Sequence, residues 1–326
     1  MSLRLVSGMR PTGRLHLGHL VGALDNWLKL QERYECFFLV ADWHALTTGY
    51  TDTSELQRNT IEMAHSWRAL GIDFSRSTVF VQSDVKEHAE LHLLFSMVTP
   101  MAWLERDPTL KTMLEDLHLK AVSYGLMGYP VLQAADILLY KAGVVPVGID
   151  QVPHIELARE IVRAFNRHFG QVFPEPEALL TLAPRLLGPD GKKMSKSLGN
   201  CIYLDDPPDA IAKQVMQLVT DPAKIHPTDP GDPDICSVQD YHKIFHPADA
   251  QEHDRACREG RLGCVKHKKY VAQVLTDFLK PYQAEREALK GREGETIKML
   301  KDGAERAREI AAGAMAEAKR AVRMGV

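Results

Sequence analysis

LRLVSGMRPTGRLHLGHLVGAL, Leu3 to Leu24, decides how the first half of this chain folds. Leu3 to Ser7 reads as a strand, Gly8, Pro11 and Gly13 interrupt it, and Gly18 to Glu32 places Leu20, Leu24, Trp27, Leu28 and Leu30 on a helical face. A strand leading through a glycine-bearing loop into a helix is one arm of a parallel α/β unit. The helix start offers unpaired N–H groups and partial positive charge, so the crevice above the strand suits an anion. His16 and His19 flank Gly18 there and can donate to phosphate oxygens; the plainer reading is that they cap and pack.

The pattern repeats downstream. Glu35 to Val40 reads as a buried strand, Ser54 to Leu70 as a helix with Ser54 as its cap, and Thr78 to Gln82 as a third strand. Glu87 to Tyr140 is helical with a break at Pro130, Val144 to Val147 is a strand that completes the sheet, and a helix runs from about Gln151 to Phe169. This alternation predicts an α/β fold: a Rossmann-like, doubly wound parallel sheet in residues 1–185, with a smaller C-terminal helical domain. Pro174, Pro176 and Pro184 lead into a lysine- and serine-rich loop at 186–205, and residues 206–290 are mostly helical around an irregular stretch from His226 to Asp234. Gly294 to Met324 reads as one long helix, so 291–326 is expected to pack back on the first domain.

With 326 residues and a formal net charge of -3, the chain has no general basic coat, so a polyanionic partner must be met by local patches. Lys266, Lys268 and Lys269 form one such patch and Lys319, Arg320 and Arg323 another; either alone also reads as a solvated face. No apolar run reaches the roughly 18 residues that span a bilayer, and the N-terminus lacks a secretory pattern. The five cysteines are odd in number and unevenly spaced. A cytoplasmic protein with reduced thiols and no membrane association is the expectation.

GPDGKKMSKSLGN, Gly188 to Asn200, places Lys193 and Lys196 on a glycine-flanked loop. KMSKS at Lys193 to Ser197, together with HLGH at His16 to His19, resembles the two signatures of the class I aminoacyl-tRNA synthetases. That resemblance implies that Lys193 and Lys196 sit on a loop closing over ATP and its Mg²⁺ and neutralise the departing pyrophosphate. It implies an ATP site at Arg10, Thr12, His16, Gly18, His19, Gly148, Asp150, Lys193, Met194 and Lys196, with His16, His19, Lys193 and Lys196 catalytic. It makes 206–290 the part that reads the tRNA anticodon.

GYPVLQAADILLYKAGVVPVGIDQVPHIELAREIVRAFN, Gly128 to Asn166, resembles the tryptophanyl-tRNA synthetases in particular. By that resemblance Asp136 accepts the indole N–H of L-tryptophan, Val145 and Val147 line the slot, and Tyr129 and Gln151 hold the ammonium and carboxylate. Val6, Gly8, His44 and Gln133 complete the set. Read from the residues alone, Gln133 and Asp136 are a polar pair on one helix face that could simply tie helix to sheet. Arg10 stands where several relatives have glutamine. Gln133 stands where many have methionine, which keeps tyrosine open as the substrate. A non-charging regulatory relative is the other alternative. The resemblance also implies a homodimer, with the helices after Glu87 at its contact.

Cys236, Cys257 and Cys264 resemble a segment in which some bacterial relatives carry a fourth cysteine and an iron–sulfur cluster; here His267 takes that place. Three thiolates and an imidazole suit a cluster or zinc, and equally the three are ordinary reduced cysteines.

Overall fold

Short, largely apolar runs make five strands in the computed structural model, which describes residues 3–108, 110–112, 122–180 and 186–325. They are β1 (Arg4–Met9), β2 (Glu35–Val40), β3 (Thr78–Val81), β4 (Val144–Val147) and β5 (Glu177–Leu180), all parallel, in the order β3-β2-β1-β4-β5. Chain order reverses between β1 and β4, and the crevice above their C-terminal ends is where an open sheet of this kind takes its ligand. The doubly wound parallel sheet expected from the alternation is present. It is one strand wider than the sequence pattern indicates. β5 reads EALL with both ends exposed, so it lacks the continuous apolar run of a buried strand.

Two local expectations are corrected. Pro130 does not break the helix; it lies inside Tyr124–Leu138 and is buried, so packing offsets the bond its ring removes. Ser54 is not the cap of Leu56–Leu70, whose N-cap is Glu55, because its amide and hydroxyl both donate to Asp52 Oδ1 at 3.0 and 2.7 Å. Residues 113–121, within the expected helical stretch, and 181–185, which include Pro184, lie outside the described residues.

The chain forms two compact units. One comprises Met1–Gly13, Asn26–Leu182 and Gly291–Val326, and the other Arg14–Asp25 and Ala183–Lys290. Residues 14–25, read from sequence as part of 1–185, thus belong with the second unit, and the 186–205 loop is part of that unit rather than a separate segment.

In the sheet-bearing unit Trp27 stacks on Phe38 at 4.4 Å and meets Trp67 edge-on at 5.2 Å, while Phe37 stacks on Tyr140 at 4.6 Å. The long Glu293–Ala321 helix covers β3 with a stripe of small buried residues, Ala304, Ala307, Ala311, Ala314 and Ala318. Gly303 sets how close it comes, since a Cβ there would stand 1.8 Å from the Val79 carbonyl oxygen. Gly303→Ala is therefore expected to destabilise the fold by about 3 kcal/mol despite alanine's better helix propensity. Thermal denaturation checks this; an unchanged or raised Tm would contradict the close approach.

The second unit is helical: Pro208–Gln217, Ser237–Phe245, Pro247–Arg258 and Cys264–Ala288. No helix among the described residues is long and apolar enough to cross a membrane.

Candidate active site

Asp136 is the polar centre of the sheet-bearing unit. The residue is 4% exposed, and its carboxylate accepts three hydrogen bonds: from Gln82 Nε2 and His88 Nδ1 on Oδ1, both at 2.7 Å, and from His44 Nε2 on Oδ2 at 2.8 Å. Burial pushes its carboxyl up, but the hydrogen bonds and electrostatic attraction of the two imidazoles, His44 and His88, outweigh it and hold it at about 2. His88, with its Nδ1 proton on Asp136, accepts from the Tyr140 hydroxyl at Nε2, 2.8 Å away. A carboxylate has about four lone-pair positions. Three are engaged among the described residues, which leaves room on Oδ2 beside His44 for one more donor.

The predicted partner Gln133 is half-buried and three residues from Asp136, but the amide that reaches the carboxylate is that of Gln82, at the end of β3. Neither Gln82 nor His88 carries a sequence motif; the sheet order brings them in. Apolar walls are supplied by Val6 on β1 and by Val145 and Val147 on β4, all buried in one core cluster, with Val6 and Val145 side by side given the Leu5–Val144 register. Gly8 is a packing requirement, since a Cβ there would lie 2.7 Å from Leu39 Cγ.

Tyr129 meets His44 edge-on at 6.3 Å, so it faces the same pocket. Its hydroxyl donates to His154 Nε2 at 2.6 Å, and His154 Nδ1 donates to Asp107 Oδ2 at 2.8 Å, with His154 and Asp107 both buried. The relay commits the phenol proton to His154 and turns the oxygen's lone pairs outward as acceptors. Burial, then the charge of Asp107, raise the Tyr129 pKa, so the phenol stays protonated. His154 lies within the quoted HIEL segment yet was given no role from sequence, and Asp107 carries no signal at all. Arg10 is exposed at the end of β1, close enough to Tyr129 to lower its pKa, and within 3.5 Å of Thr48 Oγ1; Thr12 is also exposed on this loop. After β4, Gly148 precedes a short turn in which Gln151 Nε2 donates to Asp150 Oδ2 at 3.2 Å; a Cβ on Gly148 would lie 2.6 Å from Asp150 Oδ1.

In the second unit, the HLGH segment and the lysine loop come together. Leu17 N donates to Ile202 O at 2.9 Å and Leu204 N to Leu15 O at 3.0 Å, an antiparallel bridge that lays residues 15–17 along 202–204. Arg14 clamps the same junction, its guanidinium on Asp205 and Asp206 and over the Tyr203 ring at 4.2 Å. A Cβ on Gly18 would lie 2.9 Å from His16 Nδ1 and 3.7 Å from Met194 Cβ, so the glycine keeps the gap between imidazole and loop.

The His16 and His19 rings lie 3.7 Å apart, and the His16 amide donates to His19 Nδ1 at 3.1 Å. The proton of His19 is thereby placed on Nε2. Burial and then the Lys196 charge lower His16 to about 4, while burial, His16 and Lys196 lower His19 to about 3. Both are neutral N–H donors at physiological pH. Acidification toward about pH 5.5 should therefore reveal no loss of rate from these two groups; a pH–rate profile titrating near 6.5 that vanishes in His19→Asn would contradict this. The sign for stability follows from the same depression. Below about pH 6.5 the unfolded chain takes up protons that the folded chain refuses until about pH 4, so these sites destabilise the fold as pH falls through that window.

Asn200, ending the quoted loop but given no role from sequence, shapes it. Its side-chain oxygen accepts from Ser195 N at 2.7 Å, and its amide donates to Asp190 Oδ1 at 2.7 Å and Lys193 O at 3.2 Å. Gly188 is a close-approach residue, where a Cβ would lie 2.4 Å from Asn200 O, while Gly191 and Gly199 turn with φ of 75° and 63°. Lys193 is exposed and Lys196 half-buried.

Cys236, Cys257 and Cys264 are neighbours; the thiol pKa values of Cys236 and Cys257 are raised, chiefly by burial and also by the nearby thiols. His267 does not turn Nε2 to them: that nitrogen lies 2.9 Å from His242 Nδ1. That nitrogen of the fourth ligand expected from the sequence is thus committed elsewhere.

Known proteins resemble this chain over nearly its whole length. The class I tRNA synthetases (W and Y) match residues 1–280. The tryptophan–tRNA ligase of Thermotoga maritima is 47% identical, covering 99% of this chain and 99% of its own. That of Aquifex aeolicus is 43% identical over 99% of this chain and 100% of its own. The crystal structure of tryptophanyl-tRNA synthetase from Campylobacter jejuni, complexed with ADP and tryptophan, superposes with a TM-score of 0.88 at 33% identity, covering 99% of this chain and 100% of that one.

Proposed function

Because the chain belongs to the class I tRNA synthetases of the tryptophan and tyrosine group, we propose that it joins L-tryptophan to its tRNA at the expense of ATP, through tryptophanyl-adenylate. The observation that carries the choice of amino acid is Asp136: a buried, ionised acceptor with one position left beside His44, at the end of an apolar slot. An indole N–H fills that position. Phenylalanine leaves the carboxylate unpaired, which is the strongest basis for discrimination available to an apolar pocket. Tyr129, its proton held by His154, accepts from the substrate ammonium; Gln151 and Arg10 face the carboxylate end.

The carboxylate then attacks the α-phosphorus of Mg²⁺–ATP and the bond to pyrophosphate breaks. Neutral His16 and His19 donate to phosphate oxygens beside Gly18 and Met194, and Lys193 and Lys196 take up the negative charge that accumulates on the leaving pyrophosphate. A terminal ribose hydroxyl of tRNA next attacks the acyl carbon and AMP departs. No covalent enzyme intermediate is needed, so the protein's contribution is orientation and charge stabilisation.

Tyrosine is not favoured, since the relatives that are 43% and 47% identical over nearly the whole chain are tryptophan–tRNA ligases. Intact HLGH and KMSKS segments argue against a relative that no longer charges tRNA. The patches at Lys266, Lys268 and Lys269 and at Lys319, Arg320 and Arg323 are our choice for tRNA contacts, although Lys268 donates to the Met216 carbonyl at 3.0 Å and Lys319 pairs with Glu90 at 2.7 Å. Homodimerisation is supported by exposed Leu93, Met97, Met101 and Tyr124 in the region after Glu87, and a cytoplasmic setting by five free thiols. Incubation with labelled amino acid, ATP and tRNA tests the proposal: tryptophan should become attached to its tRNA, and attachment of tyrosine instead, or of neither, refutes it.

Asn200→Ala should slow adenylate formation roughly 10-fold or more with little change in the KM for tryptophan, because it releases the lysine loop and touches none of the Asp136 network. Single-turnover kinetics separate the two; a change confined to the tryptophan KM would contradict the assignment.

A further inference from the structure

Beyond the synthetase site proposed above, the second unit packs four histidines, an aspartate and a tyrosine into one cluster. His242 comes from Ser237–Phe245, Asp249 and His253 from one face of Pro247–Arg258, and His267 and Tyr270 from Cys264–Ala288; His246 joins at the bend between the first two helices. His242 Nε2 lies 2.7 Å from Asp249 Oδ1 and His246 Nδ1 lies 2.6 Å from the same oxygen, while the Tyr270 hydroxyl donates to Asp249 Oδ2. His253 Nδ1 is 3.7 Å from Asp249 Oδ2, and the His242 and His253 rings are 4.5 Å apart. One ligand atom from each of His242, Asp249 and His253 falls within 4.8 Å of the others.

We propose that His242, Asp249 and His253 form a binding site for a divalent transition metal of the zinc class, with His267 orienting His242 from behind. Two imidazoles and a carboxylate from two helices are a ligand set that zinc favours, with a fourth position for water. Two ligands of a tetrahedral ion with bonds near 2.1 Å stand about 3.4 Å apart, so His242 and Asp249 need to separate by only a fraction of an ångström. The His242 side chain is fully buried while those of Asp249 and His253 are 29% and 22% exposed, so the site is anchored at one side and reachable from water at the other.

The second shell is already in place. In the hydrogen-bonded cluster His242 donates from Nε2 to Asp249, so its Nδ1 accepts from His267 Nε2–H at 2.9 Å. Metal binding at His242 Nε2 moves one proton from Nε2 to Nδ1 in each of the two rings, and the same contact then runs in reverse, His242 Nδ1–H donating to His267 Nε2. No proton is released by this pair and no imidazole is charged. A ligating histidine whose other nitrogen is fixed by a buried partner is the usual second-shell arrangement.

The protein, stripped with chelator and dialysed, should take up one equivalent of Zn²⁺ by elemental analysis and one of Co²⁺ with the intense visible bands of a tetrahedral site. His253→Asn, at a partly exposed position and with folding checked by circular dichroism, should lose that uptake at least 100-fold in affinity. A Cys236→Ser, Cys257→Ser, Cys264→Ser variant should retain it. Absence of stoichiometric uptake by the unaltered protein, retention by His253→Asn, or loss in the triple serine variant would each overturn the proposal, the last two by placing the metal on other ligands.

Discussion

Asp136→Ala is expected to lower kcat/KM for tryptophan in ATP–pyrophosphate exchange by about 10³-fold, while the affinity for ATP changes little. The magnitude rests on two effects in the same residue. The indole N–H loses an ionised acceptor in a site shielded from water, and Gln82, His44 and His88 lose the carboxylate that all three donate to. Those donors, left unpaired, each cost about 1–3 kcal/mol and also lower stability, so activity alone does not separate the explanations. The ratio of tryptophan to phenylalanine turnover does. A merely loosened fold weakens both substrates together, whereas loss of the acceptor brings the two amino acids toward parity. Unchanged discrimination would show that Asp136 is a structural anchor and that the indole is read elsewhere.

Lys196→Ala should reduce the rate of adenylate formation by about 10²–10³-fold, with the KM for tryptophan nearly unaltered. Its charge acts where negative charge accumulates as pyrophosphate leaves, and its nearness to His16 and His19 is registered in the depressed pKa of both. Removing it should raise those two values, though not fully to 6.5, since burial is the larger cause for each. Histidine titration by NMR thus gives a second readout that a nonspecific loss of rate would not move. Stopped-flow measurement of the first turnover checks the rate, and an effect on tryptophan binding instead of on the chemical step would contradict the role.

Much of the sheet was legible because buried parallel strands are short apolar runs between helices of clear period. β5 was not, since an edge strand with exposed ends carries no such run. Asp136, the HLGH segment and KMSKS were legible through resemblance, each being a compact motif. Gln82, His88, Asp107 and His154 were not assigned because their roles arise only when strand order and helix packing bring distant segments to one carboxylate or one phenol. The same holds for Asn200, whose importance lies in three bonds within a loop that composition describes merely as hydrophilic. The grouping of residues 14–25 with the second unit follows from two backbone hydrogen bonds to 202–204 and the Arg14 clamp on Asp205 and Asp206, long-range pairings that no sequence period announces.

Whether the early histidines and the late lysines act on a single triphosphate is decided most directly by a double-mutant cycle on adenylate formation, using His19→Asn, Lys196→Ala and the pair together. Groups that stabilise one transition state should be coupled, so the double variant should lose less than the product of the single losses, by about 1 kcal/mol or more. Losses that multiply to within about 0.3–0.5 kcal/mol would mean that the two motifs work independently, and the mechanism described above would not stand.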